Sequence, residues 1–310
     1  MDFYFSFANV NAPTQKNGLA MSNTQQGIIH DNDSLSRHLF FSIQPAADIK
    51  PILSQLAASI NTEQTVVGLG EVLTSALNVN IDGLKTMPAQ SVAGVSIPST
   101  PYALWCGLRG NDRGELFHRS DEIEALLAPE FVLEDVVDCF TYDESRDLSG
   151  YIDGTENPSG DNAINAAIVH NDPNLNGSSF VAIQTWVHDF EKLKAMSENE
   201  KDDAIGRHIK NNEEFDAPKS AHVKRSAQED FEPEAFMLRR SMPWSDGMQA
   251  GLLFVAYGKS FDAFEAILQR MTGAEDGIQD AIFQFTQPVS GAYFWCPPAS
   301  NNQLDLSALD

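Results

Sequence analysis

What most narrows the fold is an order of apolar runs that occurs twice along the chain. In the first half, His38-Leu-Phe-Phe-Ser-Ile43 has strand composition, and the segment 46–60 places Ile49, Ile52, Leu53, Leu56 and Ile60 on one helical face. Strand-like runs follow at 65–70 and 102–108. A short helix is predicted over 120–127 with Ile123, Leu126 and Leu127 inward, and strand composition returns over 131–142. The second half repeats the series: a strand over 179–186, a helix over 189–196 through Phe190, Leu193 and Met196, strands over 235–241 and 251–257, a helix over 261–271 through Phe261, Phe264, Leu268 and Met271, and a last strand over 291–296. Two passes of β-α-β-β-α-β predict an α+β fold of two tandem ferredoxin-like halves with antiparallel sheets, residues 1–145 and 146–310. Two long interruptions, 143–178 and 197–234, exceed what a compact domain needs for connection alone and are expected to carry function; the charged second one, with Glu198, Glu200, Lys201, Asp202 and Asp203, reads equally as a solvated helix.

Charge and cysteine usage exclude several classes. The 310 residues carry a formal charge of −24, so a nucleic-acid backbone would be repelled, and an anionic ligand must be held by particular arginines. Apolar runs such as Gly251-Leu-Leu-Phe-Val-Ala-Tyr257 stop short of a membrane span, and Met1-Asp-Phe-Tyr lacks the basic start of a signal peptide; a cytoplasmic protein is expected. Cys106, Cys139 and Cys296 are few and lie in apolar stretches, as reduced core thiols do. Covalent attachment of haem through a CxxCH motif is excluded, and Cys296 before Pro297 reads as the end of a terminal strand.

Several segments hold residues that could do chemistry. In 146–160, Asp153-Gly154 and Asn157-Pro158 read either as two linked turns or as a carboxylate presented by a glycine-bracketed turn to something close to the backbone. His222, in Ser220-Ala-His-Val-Lys-Arg225, has no second histidine at zinc-ligand spacing, an objection that a single haem ligand escapes. Asp172-Pro-Asn-Leu-Asn-Gly177 imitates a calcium loop but has Ile183 where the bidentate Glu belongs, and is read as a turn. The strand Ala235-Phe-Met-Leu-Arg-Arg-Ser-Met-Pro-Trp244 directs Arg239 and Arg240 to opposite faces. One guanidinium must therefore meet a buried anion, and alternation alone slightly favours Arg240 for the core side.

Together these segments resemble the dye-decolourising peroxidases, in particular their intracellular bacterial branch. The resemblance rests on Gly150-Tyr-Ile-Asp-Gly-Thr-Glu-Asn-Pro158, which follows that family's GxxDG motif. It continues through Ile205-Gly-Arg207, Ser220-Ala-His222, Leu238-Arg-Arg-Ser-Met-Pro243, Gly251-Leu-Leu-Phe254 and the stretch from Asp280 to Gly291. It implies a non-covalent haem b held mainly by the C-terminal half, with His222 as the ligand of the iron. Asp153 is then the acid/base on the peroxide side and Arg239 its partner, which settles the choice that alternation leaves open. Ile152 and Gly154 flank that acid against the haem, Ser241 stands where some relatives carry Asn, Leu252 and Phe254 form an apolar lid, and Arg207 meets a propionate. Asp280 becomes the partner of the His222 ring, with Gln284 at the position some relatives use instead. The implied activity is reduction of hydrogen peroxide and one-electron oxidation of small aromatic donors, dyes or phenols. Arg239 should lower the pKa of Asp153, and Tyr151, Trp186, Trp244, Tyr257 and Trp295 are candidate electron relays that read first as packing aromatics. A haem carrier, or an enzyme removing iron from haem, is the alternative use of the same His222. A homodimer or larger ring is expected of such sheets.

Overall fold

The computed structural model describes residues 23–309. After a short helix α1 (Gln26–Ile29), the first half runs β1 (Leu35–Ile43), α2 (Ile49–Ser59), β2 (Thr65–Leu69), α3 (Glu71–Ala76), a small hairpin of β3 (Gln90–Val92) and β4 (Val95–Ile97), β5 (Leu104–Gly110), α4 (Arg113–Leu127) and β6 (Phe131–Phe140). The second half runs α5 (Asp161–Ala167), β7 (Ser179–His188), α6 (Phe190–Ala195), α7 (Glu198–Ile205), α8 (His222–Ser226), β8 (Leu238–Arg239), β9 (Met242–Asp246), β10 (Gln249–Gly258), α9 (Asp262–Thr272), β11 (Thr286–Pro288) and β12 (Ala292–Cys296).

The principal strands of the first half lie in the order β6-β1-β5-β2 and those of the second in the order β12-β7-β10-β9. Both are the fourth-first-third-second arrangement of a ferredoxin-like sheet, and every pairing is antiparallel. The two sheets then meet at both edges. Trp295 of β12 pairs with Leu69 of β2, and Cys139 of β6 pairs with Trp244 of β9, so the eight principal strands close into a barrel. Closure removes the sheet edges that would otherwise recruit further strands.

Closure also explains why the strands read as continuous apolar runs. Phe40, Val66, Trp105, Val181, Leu253 and Phe294 point into the barrel, while Phe41, Val67, Cys106, Ala182 and Trp295 point outward under the helices. With both faces buried, alternation of apolar and polar residues is erased. All three cysteines are buried and unpaired, Cys139 and Cys296 inside the barrel.

Two local readings need correction, and one that was open between alternatives is decided. The helix predicted over 120–127 starts seven residues earlier, because Asp112 caps it by accepting the Glu115 N–H at 3.0 Å. The charged stretch after Met196 is helix α7, started by a capping box of Ser197 and Glu200. The strand predicted over 235–241 is only β8, and the chain resumes pairing as β9. Between them the Arg240 N–H donates to Val255 O at 2.8 Å and Ser241 Oγ accepts the Val255 N–H at 3.3 Å, so a side chain replaces one ladder bond while the register against β10 is kept. Among the described residues no helix is long and apolar enough to cross a membrane.

Candidate active site

A cavity of about 1020 Å³, partly open to solvent, lies on the outer face of the second sheet. Because side chains alternate along β7 and β10, Gln184, Trp186, His188, Leu252 and Phe254 all face it. Phe264, Ile267, Leu268 and Met271 of α9 form the opposing apolar wall. The two long interruptions supply polar groups: Asp147, Ser149 and Asp153 from one, His222 and Ser226 from the other.

His222 opens α8, and two neighbours hold that helix in place. Arg225, its side chain only 6% exposed, takes both Asp276 oxygens at 2.8 Å and the Arg270 carbonyl at 2.6 Å, which ties α8 to the end of α9. Gly206, at φ +94°, lets the preceding loop pass so close that a Cβ there would meet Val223 Cγ2 at 2.2 Å. The His222 ring then meets Asp280: Nδ1 lies 2.7 Å from Oδ2 of a carboxylate whose side chain is 0% exposed. Asp280 is itself fixed by accepting the Ile282 N–H at 3.0 Å and by its own N–H to Met271 O. Burial pushes the His222 pKa down, but the Asp280 charge and hydrogen bond outweigh it and leave the pKa raised. Nδ1–H held by a carboxylate leaves Nε2 as the free nitrogen, and no hydrogen bond occupies it among the described residues. Gln284 is exposed and plays no part in this contact.

Asp153 and Arg239 share the cavity with His222. Arg239 is positioned through its backbone: its N–H donates to Asn157 Oδ1 at 2.9 Å, and Asn157 Nδ2 donates to its carbonyl at 2.8 Å. The sequence reading took Asn157 as a turn former only; its place four residues after Asp153 was the available signal. Arg239 faces the cavity and Arg240 the other side of the strand, where it donates to the Ile29 carbonyl at 2.6 Å. Alternation thus held in setting Arg240 on the face of Leu238 and Met242, but that face is the barrel interior, and the cavity lies on the Arg239 side.

Arg239 acts on Asp153 in the expected direction but is outweighed. Burial is the largest influence on Asp153 and raises its pKa; Arg239 lowers it by less, and Asp147 adds to the rise. No ion pair forms between the two side chains. Arg239 Nε is buried without a hydrogen-bond partner, a donor that costs free energy unless a ligand meets it.

The remaining predicted residues divide. Leu252, Phe254 and Ile152 line the cavity. Gly154 and Ser241 instead line an adjoining cavity of about 810 Å³ that shares Asp153 and Arg239 with the first. Arg207 does not line either one. Its guanidinium is taken by Glu156 at 2.8 Å, Glu214 at 3.2 Å and the Asn212 carbonyl at 3.0 Å. Trp244, Tyr257 and Trp295 are buried away from the first cavity, whereas Tyr151 and Trp186 line it. Sequence reasoning missed Asp147, whose Oδ1 lies 2.9 Å from His188 Nε2, while His188 Nδ1 lies 2.8 Å from Thr286 Oγ1; all three line the cavity.

The donor set suits a planar macrocyclic iron group. It offers one carboxylate-braced imidazole with a free Nε2, an apolar enclosure, and an arginine whose buried Nε has no hydrogen-bond partner. Among the described residues no cluster of three or more His, Cys, Asp or Glu could hold a bare metal ion.

Comparison with known proteins gives the family. The family model for the C-terminal part of Dyp-type peroxidases matches residues 144–301, half of the chain. A dye-decolorizing peroxidase of Mycolicibacterium paratuberculosis is 32% identical over 208 residues, covering 64% of this chain and 59% of its own length. One from Rhodococcus erythropolis is 33% identical over 210 residues, covering 65% and 62%. The chain thus spans about three-fifths of the length of these curated relatives. Among solved structures, a Dyp-type protein of Shewanella oneidensis superposes with a TM-score of 0.82 at 26% identity, over 89% of this chain and 95% of its own. A DypB variant of Rhodococcus jostii RHA1 in complex with heme does so at 0.79 and 25%, over 88% and 96%. The chain belongs to the Dyp-type peroxidase family.

Proposed function

We propose that this protein is a haem peroxidase that reduces hydrogen peroxide and oxidises aromatic donors, dyes or phenols, one electron at a time. The observation that carries the reading is the convergence in one apolar cavity of an Asp280-braced His222 with Asp153 and an Arg239 whose Nε has no partner. The division into halves at 145/146, with haem held mainly by the second, is part of the proposal, as is association into a dimer or larger ring. Three buried unpaired thiols fit a reducing, cytoplasmic setting.

In this mechanism His222 would hold the iron of a non-covalent haem b through Nε2, the nitrogen that the Asp280 contact leaves free. Asp280 accepts the Nδ1 hydrogen, which fixes the ring tautomer and makes the imidazole a stronger donor. Bound haem supplies the iron that takes up peroxide and the capacity to store two oxidising equivalents. Asp153 accepts a proton at the nearer peroxide oxygen and returns it to the farther one, work typically worth ~10²–10⁴-fold. Arg239 offers its guanidinium to the negative charge that develops as the O–O bond opens. Leu252, Phe254 and the apolar face of α9 exclude water around these charges, which strengthens both effects. Arg207 reaches a propionate only if it exchanges Glu156 or Glu214 for it. The overall negative charge favours neutral or cationic donors.

The test is an absorption spectrum after adding haemin, repeated for His222→Ala, followed by one equivalent of peroxide. A Soret band that needs His222 and shifts within seconds supports the peroxidase. A His222-dependent band that peroxide only bleaches supports a haem carrier, which has no use for Asp153 and Arg239 together.

A further inference from the structure

Asp147 and His188 line the cavity with Asp153, and the peroxide step derived above uses neither of them. Both are buried, their side chains 13% and 4% exposed. Asp147 sits at the foot of the turn that leads to Asp153: its N–H donates to Tyr151 O at 2.8 Å, and its carbonyl accepts the Gly150 N–H at 2.9 Å. His188 ends β7, where it pairs with Thr286 of β11. The contacts of its ring decide where the hydrogens lie. Thr286 Oγ1 donates its single hydrogen to Val187 O at 3.1 Å, so towards His188 Nδ1, 2.8 Å away, it is an acceptor and Nδ1 carries a hydrogen. The other ring nitrogen, Nε2, lies 2.9 Å from Asp147 Oδ1. A neutral ring with its hydrogen on Nδ1 presents a lone pair at Nε2, and a carboxylate oxygen is an acceptor too. Two acceptors this close and out of water need one further proton between them.

Holding the turn requires no such proton. An asparagine would donate to Nε2 and still accept the Ser149 N–H that Asp147 Oδ2 takes at 2.9 Å. What carboxylate and imidazole add together is the proton itself. Imidazole is the stronger base, at about 6.5 against about 3.9 for the carboxylate, so the proton rests on Nε2 and the contact is an ion pair. Burial would raise the Asp147 pKa, but the His188 hydrogen bond and charge and the bonds from Ser149 outweigh it and keep the group a carboxylate. The charge of Asp147 reaches Asp153, so two carboxylates share one cavity within electrostatic range. The other charges acting on Asp153 are Arg239 of β8 and His222 of α8, while Arg146 turns away to the Gly150 and Ile209 carbonyls.

We propose that Asp147 and His188 are a second proton-carrying pair of the active site, separate from Asp153, which supplies the protons of the second water formed from each peroxide. The inference rests on the haem-peroxidase reading. Reduction of hydrogen peroxide to two waters takes two electrons and two protons. Asp153 contributes neither proton, since it returns to the farther oxygen the one it took from the nearer. The first water therefore carries both peroxide hydrogens, and the second is made from the remaining oxygen atom, two donor electrons and two protons. With each electron the Nε2–H bond breaks, an O–H bond forms on Asp147, and that carboxyl releases its proton into the cavity. The pair is left as neutral imidazole and carboxylate, and takes a proton back from solvent through Asp147, the more exposed of the two. A phenol brings a proton with its electron; a donor that stays outside the cavity and gives only an electron depends on the pair.

The experiment has one arm without haem and one with it. In the full-length apoprotein carrying isotope-labelled histidine, ring NMR near pH 6 should show hydrogen on both His188 nitrogens, the signals being assigned by their loss in His188→Gln. In Asp147→Asn only Nδ1 should carry hydrogen. A parent ring with hydrogen on Nε2 alone, or one that Asp147→Asn leaves unchanged, overturns the proposal. In the second arm the haemin-reconstituted protein is mixed with one equivalent of peroxide and then with a cationic ferrocene, which gives an electron and no proton. The parent should show a Soret shift and then its reversal. Asp147→Asn should slow the reversal by about 10²-fold, the scale of a lost general acid, and far more than it slows the shift. A phenol in place of the ferrocene should restore most of the lost rate. A reversal as fast as in the parent overturns the proposal and leaves the peroxidase standing. So does a shift slowed as much as the reversal, which would make Asp147 a positioning residue for Asp153. No Soret shift in the parent overturns both readings.

Discussion

Replacing Asp280 by Asn tests the support of the proposed iron ligand with little change of shape. Asn keeps an oxygen that can accept the His222 Nδ1 hydrogen and can still cap the turn at Ile282, so tautomer and loop survive while the charge is lost. A hydrogen bond to a charged group contributes about 1.5–3 kcal/mol and a neutral one about 0.5–1.5 kcal/mol, so the apoprotein should lose about 1 kcal/mol. Asp280→Ala removes the cap as well and should cost about 2–5 kcal/mol. The loss in Asp280→Asn should depend on pH with a definite sign. Asp280 raises the His222 pKa, so its contribution is fully present below the unfolded histidine value of about 6.5 and is lost as pH rises through the folded value. Urea midpoints should therefore differ more at pH 5 than at pH 9. Haemin titration followed at the Soret band should show affinity lower by about 10–100-fold, the usual effect of removing such a supporting partner. Unchanged haemin affinity together with unchanged midpoints at both pH values would refute the claim that Asp280 braces His222.

Asp153→Asn should slow the peroxide step by about 10²–10⁴-fold in stopped flow and abolish the acid limb of its pH profile. In the parent that limb should lie above the ordinary carboxylate value of about 3.9, because burial raises the Asp153 pKa. The same substitution should stabilise the apoprotein at pH 7, where the parent must keep a buried carboxylate ionised, and the gain should vanish near pH 3; an equal gain at both values would contradict the sign. Arg239→Leu should lower the peroxide rate by about 10²–10³-fold and move the Asp153 limb to higher pH, since the one charge that lowers its pKa most is gone. Asn157→Ala breaks both bonds to the Arg239 backbone and should lower the melting free energy by about 1–3 kcal/mol while also slowing the peroxide step, whereas a loss of stability with full peroxide reactivity would mean that the clamp does not position Arg239. Cationic dyes should be oxidised faster than anionic ones at about 10 mM salt, with the gap narrowing by about 150 mM as the Debye length falls from roughly 30 to 8 Å; salt-independent rates would exclude steering by the net charge.

The sequence by itself determined the doubled βαββαβ order, because each half repeats the same helical faces and apolar runs within windows of ten to twenty residues. Asp153, His222, Arg239 and Asp280 were named together only through the resemblance to a known family; alternation by itself left Arg239 and Arg240 undecided. The sequence could not show that the sheets close on each other. Closure rests on single pairings, Trp295 with Leu69 and Cys139 with Trp244, between residues whose local patterns resemble any buried strand. β9 was hidden for a related reason: Arg240, Ser241 and Pro243 break the apolar run, although Leu238, Met242 and Trp244 keep to one face. Tertiary structure alone decided the electrostatics. Arg239 was legible as a cation near Asp153, but the outcome turned on burial, which outweighs it. Asn157 with Arg239, Asp147 with His188, and His188 with Thr286 are separated by 82, 41 and 98 residues along the chain. Local propensity carries no information about contacts of this kind.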